Sequence, residues 1–366
     1  MGGVSTTLSV AAGGGGDALA ALIVGRTLNP GGEVKPVVAS FSWDRYVIDP
    51  APGPRTVQDF DGLVRHAPHV WEVTADSTLR HGGVSGLTIL ARCTEGRFFL
   101  LDPSGGFDGV HRQLAELAAL ISASTVSLVD VGGDIAASGK EPELSSPLAD
   151  SLALAAVAAL PLRGQVIVGG PGLDGELDAH YVRARMISAG AYERRTTSLD
   201  VEAYSPALNR HPSEATALLS AAALGIEGHA EIRDSAALVP IQATSADLLI
   251  ADVEAVQAIN MVAQGLASSR TFAEAEEITR AICGRTELDH ERRKAKTLAR
   301  TAYEPPGGRE IESRIGTHLL AAGERGATLI SFRRLGELAG LRTYEPDLIR
   351  SAAHESAYHD LPLCHF

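Results

Sequence analysis

Thr6-Thr7-Leu8-Ser9-Val10-Ala11-Ala12-Gly13-Gly14-Gly15-Gly16-Asp17-Ala18-Leu19-Ala20-Ala21-Leu22-Ile23-Val24-Gly25-Arg26-Thr27-Leu28 is the stretch on which the fold of this chain turns. A short apolar run over Thr6 to Ala12 predicts a buried strand. Four glycines break it, and the Ala/Leu/Ile-rich run from Asp17 to Leu28 predicts a helix. The same unit recurs downstream. Strands are expected over Val34 to Trp43, His69 to Thr74, Leu87 to Arg92, Phe98 to Asp102, Thr125 to Asp130 and Gln165 to Gly169. Between the later ones lie helical patterns at Gly109 to Ser122, Pro147 to Leu160 and Glu176 to Gly190, each after a glycine- or serine-rich loop.

That alternation predicts an α/β, Rossmann-like fold: a mostly parallel sheet with helices on both faces, and loops after the strand ends sharing one rim where ligands bind. Residues 1–225 would form this core. Residues 226–366 are expected to be a mainly helical C-terminal region packed on it, with a helix at Glu214 to Leu224 just before. Within it a short strand region falls in Ala230 to Ile250. Helices follow at Val253 to Leu266, Phe272 to Cys283 and Asp289 to Tyr303, and a last strand at Ala327 to Ser331.

Composition narrows the function classes. Of 366 residues 45% are hydrophobic and only 5% aromatic, so the core must be built from Ala, Val, Leu and Ile, as in layered helix-and-sheet proteins. A net charge of -13 argues against nucleic acid as a partner, because such binders neutralise phosphates with Lys and Arg. The basic run Arg292-Arg293-Lys294-Ala295-Lys296 is interleaved with acids at helical spacing and reads as a solvated helix face. Cys93, Cys283 and Cys364 are widely spaced, which suggests neither a disulfide framework nor a zinc knuckle. Met1 to Val10 lacks a basic leader and no stretch is apolar enough for a membrane span, so a cytoplasmic protein, with a homo-oligomer open, is expected.

The candidate chemistry lies in the loops. Gly13, Gly14, Gly15 and Gly16 with Asp17 could let a backbone approach an anion at a helix start, as in cofactor or phosphate sites. The alternative is a glycine turn with Asp17 as helix cap. The pattern is neither GxGxxG nor GxxxxGK[ST]. In Val129-Asp130-Val131-Gly132-Gly133-Asp134 a strand end delivers two carboxylates to the rim, where they could hold Mg²⁺, bind hydroxyls or ammonium groups, or act as general base. Glu141 lies just beyond. Ser146 before Pro147 reads more readily as a helix start than as a substrate contact. Asp174 and Glu176, in Gly172-Leu173-Asp174-Gly175-Glu176, repeat the logic, although Glu176 could simply favour a helix N-terminus.

Glu214, or His211 before it, would add a proton carrier if near the rim. Trp43, Arg45 and Arg55 could bring an aromatic wall and a guanidinium to an anionic substrate, or form an internal pair with Asp44 or Asp49. His354 and His359 are five apart where HExxH needs four. No GxSxG is present.

These strings resemble a known family. Gly-Gly-Gly-Gly-Asp, Ser-Trp-Asp-Arg with Asp-Pro-Ala-Pro-Gly-Pro-Arg, Val-Asp-Val-Gly-Gly-Asp, Ser-Pro-Leu-Ala-Asp and Gly-Leu-Asp-Gly-Glu-Leu occur in the order found in the domain of unknown function 1152 family of archaeal and bacterial proteins. The resemblance covers about Thr6 to Gly225 and implies a Rossmann-like sheet with a shared ligand site. It implies no particular reaction. Leu173 stands where the family pattern suggests Cys, which removes a thiol from that loop. Ser213-Glu214-Ala215-Thr216 stands where Thr-Glu-Ala-Ser is expected, and a hydroxyl survives on both sides.

Three functions follow as expectations. The first is group transfer on a phosphorylated or nucleotide-like small molecule, with the glycine loop on the anion and Asp130, Asp134 and Asp174 on Mg²⁺ or a polyol. The second is a metal-independent lyase, cyclase or isomerase on a small amino acid or polyol. The third is a non-catalytic ligand-binding or regulatory protein.

Overall fold

The computed structural model describes residues 6–31, 35–233 and 235–366. Met1–Ser5 and the start at Val34 of the second expected strand lie outside the described residues. In chain order the strands are β1 (Thr6–Ala11), β2 (Val37–Ser40), β3 (Phe60–Asp61), β4 (Val64–Ala67), β5 (Val70–Val73), β6 (Thr78–Leu79), β7 (Arg97–Leu100) and β8 (Ala123–Val131). They continue with β9 (Arg163–Gly169), β10 (Tyr192–Arg195), β11 (Gly228–Ile232), β12 (Ala237–Ile241), β13 (Asp247–Asp252), β14 (Leu329–Ser331) and β15 (Leu363–His365).

A nine-stranded sheet in the order β10-β13-β9-β8-β1-β2-β7-β5-β4 forms the centre. Its five inner strands are mutually parallel, and only β5 and β13 run against the rest. From β1 the order proceeds to β2 and β7 on one side and to β8 and β9 on the other.

Period-two alternation places helices on both faces. Val126 and Leu128 of β8, with Val166 and Val168 of β9, pack into one apolar cluster beneath the helices Gly106–Leu120 and Pro147–Ala158. Val129 and Val131, with Ile167, face the other cluster with helices Gly15–Leu28 and Glu214–Ala223. The inner strands are therefore apolar in runs. The edge strand β10, Tyr-Glu-Arg-Arg, is exposed throughout, and its charges guard an edge that would otherwise pair with another chain.

The structure departs from the sequence expectations in local ways. Leu87 to Arg92, read as a strand, lies in the helix Gly86–Cys93, whose first turn is fixed by Ser85 Oγ accepting from Leu87 N. A six-residue apolar run has no length to separate strand from helix, and the cap decides. The segment at 230–250 holds not one short strand but the hairpin β11–β12 and then β13, which returns to the central sheet beside β9. Val253 to Leu266 divides at the buried Asn260, whose side chain accepts from Ala263 N. After residue 309 there are two strands, β14 and β15. They join β11 and β12 in a four-stranded sheet over a third cluster that includes Ile311, Ile330, Phe332 and Ile349. Among the described residues no helix is long and apolar enough to cross a membrane.

Candidate functional site

A cavity of about 330 Å³ opens at the C-terminal ends of β1, β2, β8 and β9. Its lining includes Gly13, Gly14, Gly16 and Asp17 after β1, Trp43, Asp44 and Arg45 after β2, Asp130 and Asp134 at the end of β8, and Asp174 and Glu176 after β9. The turns expected to share a rim do share a space, and its volume lies in the range of small-molecule pockets.

The glycine turn is shaped by close approach. Gly14 has φ 146°, and a Cβ there would lie 2.7 Å from the Trp43 carbonyl oxygen. The helix starts at Gly15, so Asp17 sits in its first turn rather than at the cap. Its carboxylate accepts from Gly13 N at 2.8 Å and from Val131 N at 3.3 Å, tying the loop after β1 to the end of β8. Gly132, at φ 116°, lets the β8 turn pass so close to Asp174 that a Cβ would fall 2.3 Å from its Cγ.

The carboxylates form two groups of three. Oxygens of Asp17, Asp130 and Asp150 lie within 4.8 Å of one another, and so do those of Asp134, Asp174 and Glu176. Burial, reinforced by Asp17 and Asp174, pushes Asp130 well above the ordinary carboxylate range. Burial does the same to Asp134, with Glu176 and Asp174 adding to it, and to Asp150, with Asp130 and Asp17 adding to it. Asp17 is raised to about 7 and Asp174 to about 6, burial again leading. Glu176 moves the other way. Burial opposes its charge, but Arg233 and the donors Asp134, Ser146 and Ser145 N hold it at about 2.

Ser146 Oγ is 2.6 Å from Glu176 Oε1 and 3.0 Å from Asp134 Oδ2, so this helix-start serine also cross-links two acids. The downstream helix begins at Ala179, capped by Asp178, which leaves Glu176 in the loop and not on a helix N-terminus. Asp134 Oδ1 and Asp150 Oδ1 are buried and have no hydrogen-bond partner among the described residues.

The family model described as Protein of unknown function (DUF1152) matches residues 8–295. The chain belongs to the DUF1152 family. No curated protein and no solved structure matches it.

In this DUF1152 protein two expected substrate contacts are not brought to the cavity. Arg55 Nε pairs with Asp49 at 2.5 Å and its guanidinium also reaches the Ala51 carbonyl, so it closes its own proline-rich loop. Glu141 accepts from Ser138 N, Gly139 N and Lys140 N and from the Tyr181 hydroxyl. Burial works against its charge, yet these donors hold it at about 2, as befits an acid that stabilises a turn. Gly15 starts the helix and does not line the cavity, whereas its neighbours do. Glu214 does line it, but its oxygens accept from Ser331 Oγ, Arg233 N and Arg333 Nη1. Trp43 Nε1 donates to Glu291 at 2.8 Å.

Several lining residues were not singled out in the sequence. Asp150 sits in the first turn of the helix Pro147–Ala158, and only the Ser-Pro-Leu-Ala-Asp string hinted at it. Asp44 accepts from Gly86 N, and burial raises it to about 7. His211, named from the sequence as a proton carrier if near the rim, does line the cavity; it is buried, accepts from Ser213 N through Nδ1 and is pushed down to about 4 by burial. Its Nε2 has no partner among the described residues. Lys294, from the run read as a solvated face, lines the cavity, as do Glu287 and Glu291 of the same helix and the distant Arg233 and Arg333.

Proposed function

We propose that this DUF1152 protein is an enzyme acting on a small molecule, by group transfer on a phosphorylated or nucleotide-like substrate with a divalent cation such as Mg²⁺ among its aspartates. One observation carries this: two groups of three carboxylates line a single cavity, and two of their buried oxygens lack any hydrogen-bond partner among the described residues. Buried like charges are relieved either by protons or by a bound cation. A hard divalent cation with oxygen ligands suits these residue types, and when bound it would supply Lewis-acid chemistry at a transferring oxygen.

The central sheet is, on this proposal, Rossmann-like. That reading is supported by the run of strands to either side of β1, since ligands bind where such an order turns. The glycine loop is less suited to hold an anion directly. Gly13 N is taken by Asp17, and Asp130 and Asp150 stand close by, so an anion at this turn needs a cation between.

A second reading, a metal-independent lyase, cyclase or isomerase, is favoured by Asp174 at about 6 and Asp17 at about 7, values that fit proton carriers near neutral pH. A panel of nucleotides, sugar phosphates and amino acids, scored by thermal shift and turnover with and without Mg²⁺, separates the possibilities. Conversion that needs Mg²⁺ supports the first reading, and full conversion after exhaustive chelation overturns it in favour of the second. Ligands that stabilise the protein yet are never converted would make it a binding protein.

A further inference from the structure

The acids account for only part of the cavity, which also receives Arg45, Arg233 and Arg333. Arg45 and Arg233 come from the family-matched region, but Arg333 lies beyond its end at residue 295. We infer that these three guanidiniums form a site for an oxyanion of the substrate, phosphate or carboxylate, and that Arg333, held by Glu214, is a specificity-determining residue supplied by the helix that follows β14.

Three features carry the inference. The Arg45 guanidinium makes no hydrogen bond or ion pair with any described residue although it lines the cavity, and it feels both other arginines as well as Glu176 and Glu214. Arg233 holds a left-handed backbone, φ 61°, which is strained for a residue with a Cβ. That conformation is pinned by its N–H on Glu214 Oε1 at 3.1 Å and by its guanidinium on Glu176 at 2.7 Å. Arg333 is buried, and its Nη1 donates to Glu214 Oε2 at 2.7 Å. Its Nε makes no hydrogen bond and lies 3.5 Å from Glu337.

Charge balance points the same way. Arg233 is ion-paired with Glu176 and Arg333 with Glu214, whereas Arg45, which feels both acids as well as both arginines, has no ion pair of its own. Clustering like charges is unfavourable unless an anion joins them, and guanidinium forks match the oxygens of phosphate or carboxylate. Glu214 is then a positioning residue, since it orients Arg333 and the Arg233 main chain.

This rests on the cavity being the substrate site, but not on a metal being bound there. The test titrates the full chain, freed of metal, with inorganic pyrophosphate and, separately, succinate. In parallel, Mn²⁺ binding is followed by electron paramagnetic resonance. At least one anion binds the unaltered chain, and Arg45→Ala or Arg333→Met weakens it by about tenfold or more while Mn²⁺ affinity holds. Glu214→Gln weakens the anion similarly, again with Mn²⁺ affinity unchanged. Preference for pyrophosphate assigns a phosphate group, and preference for succinate a carboxylate. If neither anion binds, or Arg45→Ala binds it as well as the unaltered chain, the oxyanion site is overturned. Anion binding with no Mn²⁺ binding would instead sink the metal reading and leave this one standing. The Arg45 guanidinium has no hydrogen bond or ion pair to lose, so its variant keeps the fold, which unfolding midpoints check.

Discussion

Glu214 Oε2 accepts from Arg333 Nη1 at 2.7 Å, a buried bond between a helix on the central sheet and a helix that follows β14. Glu214→Gln leaves the buried Arg333 without its closer counter-charge, with only Glu337 at 3.5 Å remaining, and removing one partner of such a pair costs about 3–5 kcal/mol. The double change Glu214→Gln with Arg333→Met takes both charges away and is expected to be the more stable of the two variants. Urea unfolding midpoints decide it. Equal destabilisation by the single and double variants would refute a paired role.

The acids give the metal-free protein a definite pH response. Asp17 and Asp44 sit at about 7 when folded against 3.8 when free, and Glu287 at about 8 against 4.5. The folded chain therefore keeps protons that the unfolded chain has already released, so stability falls as pH rises and levels off only above these folded values. His211 works in the opposite sense, from 6.5 down to about 4, and its effect is confined to more acidic solution. Between about pH 6.5 and about pH 8.5 the melting temperature should fall, and excess Mg²⁺ should reduce that fall. A flat profile, or one that Mg²⁺ leaves unaltered, contradicts the proposed relief by a cation.

Asp150 is buried with one oxygen unpartnered, next to Asp17 and Asp130. Asp150→Asn keeps the shape and removes an ionisable group whose charge burial and its acidic neighbours oppose. It is expected to raise the metal-free stability by on the order of 0.5–2 kcal/mol and to weaken Mn²⁺ binding by at least about tenfold. Calorimetric unfolding and Mn²⁺ titration measure the two effects. Loss of stability together with unchanged Mn²⁺ affinity would assign Asp150 a purely structural duty.

The glycine turn makes a sharper test of backbone constraint. Gly14→Ala must hold φ 146° and clear the Trp43 carbonyl, so it should cost about 1–3 kcal/mol from the backbone alone. Gly25→Ala, on the exposed side of the same helix with nothing within 4 Å, should gain about 0.5–1 kcal/mol. Opposite signs in thermal unfolding are expected, and like signs would contradict the local geometry.

Much of this was legible from residue order. The strand, glycine turn and helix over Thr6 to Leu28, and the acids at the end of β8, follow from short-range rules of periodicity and breaking. Leu87 to Arg92 was not legible, because a brief apolar run fits strand and helix equally and one serine cap decides between them. Nor were Arg55 and Glu141 separable from true lining residues, since an acid beside a glycine looks the same whether it faces a cavity or a turn of backbone amides.

The amino-acid order by itself determined the layered α/β architecture and the gathering of turns at the strand ends, because burial periodicity and glycine conformations act over a few residues. Only the tertiary structure decided the charge pattern inside the cavity. Glu214 and Arg333, 119 positions apart, meet there, as do Asp17 and Val131, 114 apart. Electrostatic energy depends on separation in space and on exclusion of water, and neither is written in distance along the chain.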